Sequence, residues 1–101
     1  MQTLTKILVV SSILGLTSLM ANDGAVLYKA CATCHGQNAE KAALGKSQII
    51  QGWEKEKVIS ALNGYKDGSY GGAMKGVMKG QVSKLDDKKI DALATYISTL
   101  K

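Results

Sequence analysis

Apolar residues recur at helical spacing near the end of the chain, and they give the clearest structural signal in the sequence. The repeat consists of Ile90, Leu93, Ala94, Ile97 and Leu100, which share one helical face. Asp86 stands before this repeat, where its carboxylate can cap the first amide groups, and Leu85 can pack onto Ile90 as a hydrophobic staple. The pattern predicts a last helix that begins after Asp86 and runs to the chain end.

A first helix is predicted earlier in the chain. Asp23 is its expected cap, because a carboxylate at this position can accept hydrogen bonds from the amides of the first turn. Leu27, Cys31 and Cys34 fall at i, i+4 and i+7 of this helix, so one helical face carries both thiols. Both thiols are therefore expected to face the same bound group or neighbouring surface.

The middle of the chain combines a second helix with a glycine-rich stretch. The spacing of apolar residues predicts a helix from about Trp53 to Asn63, which Gly64 is expected to end. The stretch from Asp67 to Gly80 contains five glycines together with Met74 and Met78. It is expected to be a long flexible loop that wraps or contacts something. No apolar alternation is long enough for a sheet, so the predicted fold class is all-α.

The first 21 residues have the features of a secretory signal peptide. Lys6 supplies the positive start, the run from Ile7 to Met20 is mostly apolar, and Ala21 is a small residue suited to cleavage. The apolar run is shorter than the roughly 20 residues that a membrane-spanning helix requires. We therefore predict cleavage after Ala21, secretion, no stable membrane insertion, and a mature domain of residues 22–101.

Composition changes this picture in two ways. A domain of this size is close to the limit at which an apolar core holds a fold without help, and the chain has one Trp, four Tyr and no Phe to fill that core. The net charge is +5, but all of the basic residues are lysines. Because arginine dominates paired contacts to phosphates and bases, nucleic-acid binding is not expected. The positive charge fits either a solvated surface or attraction to an acidic protein partner.

Candidate chemistry is concentrated in the run Cys31-Ala32-Thr33-Cys34-His35. This is C-x-x-C-H, the attachment signature for c-type haem, and it contains both cysteines and the single histidine of the chain. Each thiol can form a thioether with one vinyl group of the porphyrin, and His35 is then placed to bind the iron. We predict one covalently bound haem c, which also supplies apolar surface for the small core.

A redox site, a zinc site and a structural disulfide all fit the cysteine pair less well than haem attachment does. A thioredoxin-like redox site requires a βαβ context that the apolar pattern does not show. A zinc site would need two further ligands at suitable spacing. A disulfide between cysteines so close in sequence would be strained and would close a loop too small to add much stability.

The second axial ligand of the iron decides between an electron carrier and a haem with an open binding site. The chain has no second histidine, so the residues alone leave Met74, Met78 and lysine amines as candidates. Thioether ligation would close the site and favour electron transfer. Five-coordinate iron would instead suit a peroxidase or a gas sensor.

The chain resembles the small periplasmic mono-haem class I cytochromes c, and most closely their cytochrome c-553 branch. The residues that carry the resemblance are Asp23–Lys29, the haem motif with Gly36, Asn63–Gly72 and Ala92–Ser98. The resemblance implies the cytochrome c fold, in which three to four short helices and a glycine-rich Met loop wrap around one covalent haem. It also implies that the first and last helices cross, with Leu27 or Tyr28 packed against Leu93 and Tyr96.

The same resemblance implies His/Met ligation by His35 and Met78. In this family the distal methionine follows the run Asp-Gly-Ser-Tyr-Gly-Gly by six residues, which corresponds to Met78, although Lys79 stands where many members have proline. The implied function is one-electron transfer by a monomeric periplasmic carrier, with no catalytic residues of its own. Its implied partners are membrane or periplasmic redox proteins with an acidic docking surface, such as a terminal oxidase, and Lys75 and Lys79 are candidate docking charges.

Overall fold

The computed structural model describes residues 23–101, so the predicted signal peptide and its cleavage after Ala21 lie outside the described residues. Within this range the chain forms helices and no β-strand. The helices are α1, described over 23–35, α2 (Lys55–Asp67), α3 (Lys75–Val82) and α4 (Asp87–Ser98), and a short 3₁₀ turn covers Ala43–Gly45. The predicted all-α class is confirmed. None of the helices described is long and apolar enough to cross a membrane.

α4 begins where the sequence predicts it. Asp86 is the N-cap, and its carboxylate accepts a hydrogen bond of 2.8 Å from the backbone N–H of Lys89. The predicted apolar face is buried and consists of Ile90, Leu93, Ala94 and Ile97. The helix ends at Ser98 instead of continuing to the chain end, yet Leu100 beyond it is still buried. This helix is therefore the centre of the core.

α1 crosses α4 at very short range. A Cβ added at Gly24 would lie 2.5 Å from the Ala92 carbonyl oxygen and 2.9 Å from the Cβ of Tyr96, so only glycine fits between the helices here. The rings of Tyr28 and Tyr96 pack with their centroids 5.5 Å apart. The predicted crossing of the first and last helices is confirmed. Asp23, however, already lies inside α1 and is not its cap, because a capping signal locates a helix end only to within a residue or two.

α2 continues past the glycine that was predicted to end it. Gly64 is buried inside the helix, and an added Cβ there would lie 2.5 Å from the Cβ of Tyr70. The helix ends instead at Gly68, whose φ of +83° lies in the left-handed region that glycine adopts readily. The predicted end at Asn63 is therefore wrong, because Gly64 serves a close approach of the returning chain.

α2 packs against both α3 and α4. It begins at Lys55, close to the predicted start at Trp53, and contributes Val58 and Leu62 to the core. The Lys55 ammonium pairs with the Asp91 carboxylate of α4 at 3.0 Å. Both groups are exposed, so this pair adds only about 0–1 kcal/mol to stability.

α3 lies largely in the stretch from Asp67 to Gly80 that was predicted to be a flexible loop, and that prediction is wrong from Lys75 onward. The segment has apolar residues at helical spacing, and these outweigh the poor helix propensity of its glycines. The helix is nevertheless weakly supported, since Val82 is its only buried residue and its N-cap, Met74, makes no side-chain capping bond. The two ends of the surrounding segment are joined where the Lys66 ammonium donates to the Leu85 carbonyl at 2.6 Å.

Candidate functional site

The helices and the 3₁₀ turn surround a cavity of about 770 Å³. Its volume is in the range of about 300–1,000 Å³ found for ligand and cofactor sites. The apolar part of its lining includes Leu27, Leu62, Val82, Leu85, Leu93 and Ile97. An apolar space of this size in so small a domain would be costly if nothing filled it. The cavity therefore fits a large, mainly apolar cofactor.

Cys31 and Cys34 both line this cavity, together with Leu27. The predicted placement of both thiols on one face of α1 is confirmed. Cys34 is exposed, Cys31 is half-buried, and the two do not form a disulfide. Burial raises the pKa of the Cys31 thiol, because a thiolate is poorly solvated in apolar surroundings. Both cysteines thus lie at the wall of one cavity, as attachment at two points requires.

His35 lines the same cavity from the end of α1 and is only 6 % exposed. Burial lowers the pKa of its imidazole, which favours the neutral form that binds metals. Its Nδ1 atom is buried and has no hydrogen-bond partner among the described residues. Such an orphaned nitrogen is uncommon in a packed core and typical of a functional site. The side chain therefore fits the role of an iron ligand.

The backbone after His35 is held by residues that do not line the cavity. The Tyr28 hydroxyl donates a buried hydrogen bond of 2.6 Å to the Gly36 carbonyl, and the Lys41 N–H donates to the His35 carbonyl at 2.9 Å. Gly36 has a φ of +89°, and a Cβ there would collide with the carboxylate of Glu40. These contacts fix the turn that follows the imidazole. Sequence analysis missed the bond of Tyr28, because helical periodicity carries no signal for a contact beyond the end of the helix.

Tyr28 is well suited to this role as a hydrogen-bond donor. It is almost fully buried, and this burial raises the pKa of its hydroxyl to about 12. The hydroxyl therefore keeps its proton throughout the neutral range and donates permanently to Gly36.

Met74 and Met78 both line the cavity that holds the thiols and His35. Met78 lies within α3, is half-buried and packs against the core, whereas Met74 precedes the helix and is 49 % exposed. Met78 and His35 also border an adjoining cavity of about 310 Å³, which Met74 does not reach. The structure thus brings both candidate thioethers to one site and encloses Met78 more completely.

Aromatic side chains form a wall of the smaller cavity. The rings of Tyr65 and Tyr70 meet edge to face with centroids 5.1 Å apart, and burial raises the pKa of Tyr65. Trp53 lines the same cavity, with the Lys57 ammonium 4.0 Å from the centroid of its ring. Three of the five aromatic residues of the chain thus lie around the site.

The two candidate docking lysines occupy different positions. Lys75 lines the larger cavity, and its ammonium donates to the Gly68 carbonyl at 3.2 Å. Lys79 is exposed and does not line the cavity. A second lysine at the cavity, which sequence analysis did not single out, is Lys46 beside the 3₁₀ turn.

Comparison with known proteins gives one consistent result. A family model described as Cytochrome c matches residues 21–101. A cytochrome c-553 of Nitratidesulfovibrio vulgaris (strain DSM 19637 / Miyazaki F) is 42 % identical over 100 residues, which cover 94 % of this chain and 98 % of that protein. A cytochrome c-553 of Helicobacter pylori (strain J99) is 41 % identical over 97 residues, covering 95 % and 98 %. One from Desulfomicrobium norvegicum is 44 % identical over 77 residues, covering 75 % and 94 %.

Proposed function

This chain belongs to the cytochrome c family and, as a c-type cytochrome, is an electron carrier with one covalently bound haem c; we propose that it works in the periplasm with His35 and Met78 as axial ligands of the haem iron. The supporting observation is that the C-x-x-C-H motif and Met78 line a single, mainly apolar cavity. Cys31 and Cys34 are the proposed thioether anchors. The bound haem supplies one-electron chemistry, since its iron alternates between the ferric and ferrous states.

The residues of the chain have three tasks in this proposal. Cys31 and Cys34 hold the cofactor at two points of one helix, so that it cannot dissociate or turn. His35 is kept in place by the hydrogen-bonded turn behind it, where Tyr28 donates to Gly36. The apolar walls exclude water, and a methionine thioether favours the reduced over the oxidised iron, so the pair of ligands raises the reduction potential relative to two histidines.

The proposed partners are redox proteins of the membrane or periplasm that present an acidic docking surface. The net charge of +5 supports this choice, and so do Lys46 and Lys75 at the cavity. In this proposal the carrier connects respiratory partners, such as a terminal oxidase. An encounter driven by such charges is weakened by salt, so the rate of electron transfer should fall as ionic strength rises.

The periplasmic location is proposed from the signal-like start of the chain. Lys6, the apolar run that follows it and Ala21 fit an exported precursor that is cleaved to a mature domain of residues 22–101. Attachment of the haem would follow export. We further propose that the mature carrier is a monomer.

The ligand assignment can be tested on the mature holoprotein by optical spectroscopy in both oxidation states. The ferric wild type should be low-spin and show the weak far-red band that reports methionine sulfur on iron. Met78→Leu should change the band and the reduction potential, whereas the matched control Met74→Leu should leave both unchanged. The reverse pattern would assign Met74 instead. A high-spin wild type that binds carbon monoxide or cyanide readily would contradict the carrier and favour a gas sensor or a peroxidase.

A further inference from the structure

Two thioether side chains reach the same site, Met78 from α3 and Met74 from the residue that precedes this helix. Met74 and Met78 stand four residues apart and both line the cavity that His35 also lines. Residues at this spacing lie on one face of a helix, about one turn apart. Met78 is the more enclosed of the two, so it is the favoured ligand. Met74 is nevertheless within the same space and has no other role in the described core.

The segment that carries both methionines has little packing support. Val82 is the only buried residue of α3, and no side-chain bond caps the helix. Gly76 and Gly80 lie inside it, and a Cβ added at either would meet nothing within 4 Å. Glycines without packing partners lower helix propensity, and an element with few buried contacts opens easily. A small displacement of α3 therefore requires little disruption elsewhere.

The other groups near α3 compete poorly for the iron at neutral pH. A lysine amine must first lose a proton, and its ordinary pKa is about 10.4, whereas a thioether has no proton to lose. The ammonium of Lys75 is also engaged by the Gly68 carbonyl, and Lys79 does not line the cavity. The chain has no second histidine. If Met78 is unavailable, Met74 is the remaining soft ligand at the site.

We propose that Met74 is a reserve axial ligand that replaces Met78 when the Met78 sulfur cannot bind. The inference rests on the proposed His35/Met78 ligation. Met74 already lines the same cavity, so loosening of the first turn of α3, which the glycines of the segment permit, would bring its sulfur to the position that Met78 leaves while Val82 stays buried. Loss of Met78 then leaves the site closed to small external ligands.

The test compares Met78→Leu, Met74→Leu and the double variant Met74→Leu/Met78→Leu, each as mature holoprotein at pH 7. Leucine preserves the volume of methionine and the packing of Met78 against the core. Met74→Leu should keep the wild-type far-red band. Met78→Leu should retain a far-red band, shifted from that of the wild type, and should resist carbon monoxide in the ferrous state. The double variant should lose the band and bind carbon monoxide.

Loss of the band in Met78→Leu to the same extent as in the double variant would overturn the proposal. A low-spin Met78→Leu protein without the band would also overturn it, because that spectrum indicates lysine ligation, which Lys75→Ala and Lys79→Ala would then locate. Met78→Ala is a second variant with the same expected result, in case the leucine variant fails to fold, as judged by far-UV circular dichroism. Absence of the band from the wild type would instead show that the proposed function fails.

Discussion

The crossing of α1 with α4 and the glycine-rich segment around α3 use the same residue type in opposite ways. At Gly24 the two helices approach so closely that an added Cβ would lie 2.5 Å from a carbonyl oxygen. At Gly76 and Gly80 an added Cβ would meet nothing within 4 Å. Glycine permits tight packing at the first place and loosens a helix at the second. The site therefore lies between a rigid half, which is the crossing of α1 with α4, and a yielding half, which is the glycine-rich segment around α3.

This difference separates the histidine side of the candidate site from its methionine side. His35 lies at the end of α1, and its backbone is fixed by buried hydrogen bonds. Met78 lies on a helix that buries one residue, and Met74 directly precedes that helix. The histidine side is therefore held rigidly in the folded protein, whereas the methionine side can yield.

Removal of the haem should have the largest effect on this arrangement. The double variant Cys31→Ala/Cys34→Ala cannot attach the cofactor and keeps the cavity of about 770 Å³ in a small domain. We expect it to lose its cooperative thermal transition, because filling the cavity supplies much of the core. Hydrogen exchange should show α3 unprotected. Thr95→Ala, an exposed change on α4, should retain the wild-type transition, and a cooperative transition near the wild-type midpoint in the haem-free protein would contradict the prediction.

Gly24→Ala should have the next largest effect. The new methyl group would overlap the Ala92 carbonyl and the Tyr96 side chain, and overpacking of this kind costs about 1–3 kcal/mol of unfolding free energy. Urea unfolding of the holoprotein measures this cost. An unchanged midpoint would mean that the two helices can separate slightly, so that the rigid half is less rigid than its geometry indicates.

Tyr28→Phe should cost about 1 kcal/mol, since it removes one buried hydrogen bond to Gly36 and keeps the ring packed on Tyr96. Urea unfolding at neutral pH measures this effect. Tyr96→Phe is the matched control, because Tyr96 packs against the same ring and its hydroxyl donates no hydrogen bond to another described residue.

The stability of the wild type should also fall at alkaline pH. The pKa of Tyr28 is about 12 in the folded protein against 10.0 for an ordinary tyrosine, so the unfolded chain loses this proton first. The stabilisation is therefore complete below pH 10 and is lost as the pH rises from about 10 to 12. Tyr28→Phe should make this decline in stability shallower. It should not abolish the decline, because the pKa of Tyr65 is also raised and contributes to it. An identical decline in wild type and variant would exclude Tyr28 as its source.

Gly80→Ala should have the smallest effect, and its sign should be opposite to that of Gly24→Ala. The methyl group meets no neighbour, and replacing glycine in a helix stabilises that helix by about 0.5–1 kcal/mol. Amide exchange in α3 should slow by about two- to fivefold, while the global unfolding midpoint changes little. A loss of stability would show that α3 makes contacts that its open surroundings do not indicate.

The rigid half was the more predictable half. The apolar repeat of α4 and the capping position of Asp86 follow from local rules, and both are found in the structure. The C-x-x-C-H motif likewise placed both thiols on one face of α1. The hydrogen bond from Tyr28 to Gly36 could not be predicted, because it depends on how the chain turns after the helix.

The yielding half was predicted less well because glycine has several structural uses. Gly64 was expected to end α2, but it makes room for Tyr70, and Gly68 ends the helix. The helix α3 was missed because its glycines suggested a loop. A signal was nonetheless present, since Met74, Val77 and Met78 have helical spacing. The high glycine content thus obscured the helical spacing of these apolar residues, although the tertiary packing of α3 depends on that spacing.

The hydrogen bond between Lys66 and the Leu85 carbonyl has a consequence for how such proteins can diverge. The Lys66 ammonium and the Leu85 carbonyl oxygen, 2.6 Å apart, join the chain just before and just after the methionine segment. The two ends of the segment are therefore held together. The entropy of closing a loop grows slowly with its length. Insertions or deletions in the exposed turns of this segment should therefore be tolerated by the scaffold if Val82 stays in the core and Tyr70 stays against Gly64. Evolution or design can then vary the methionine side while the histidine side is inherited intact.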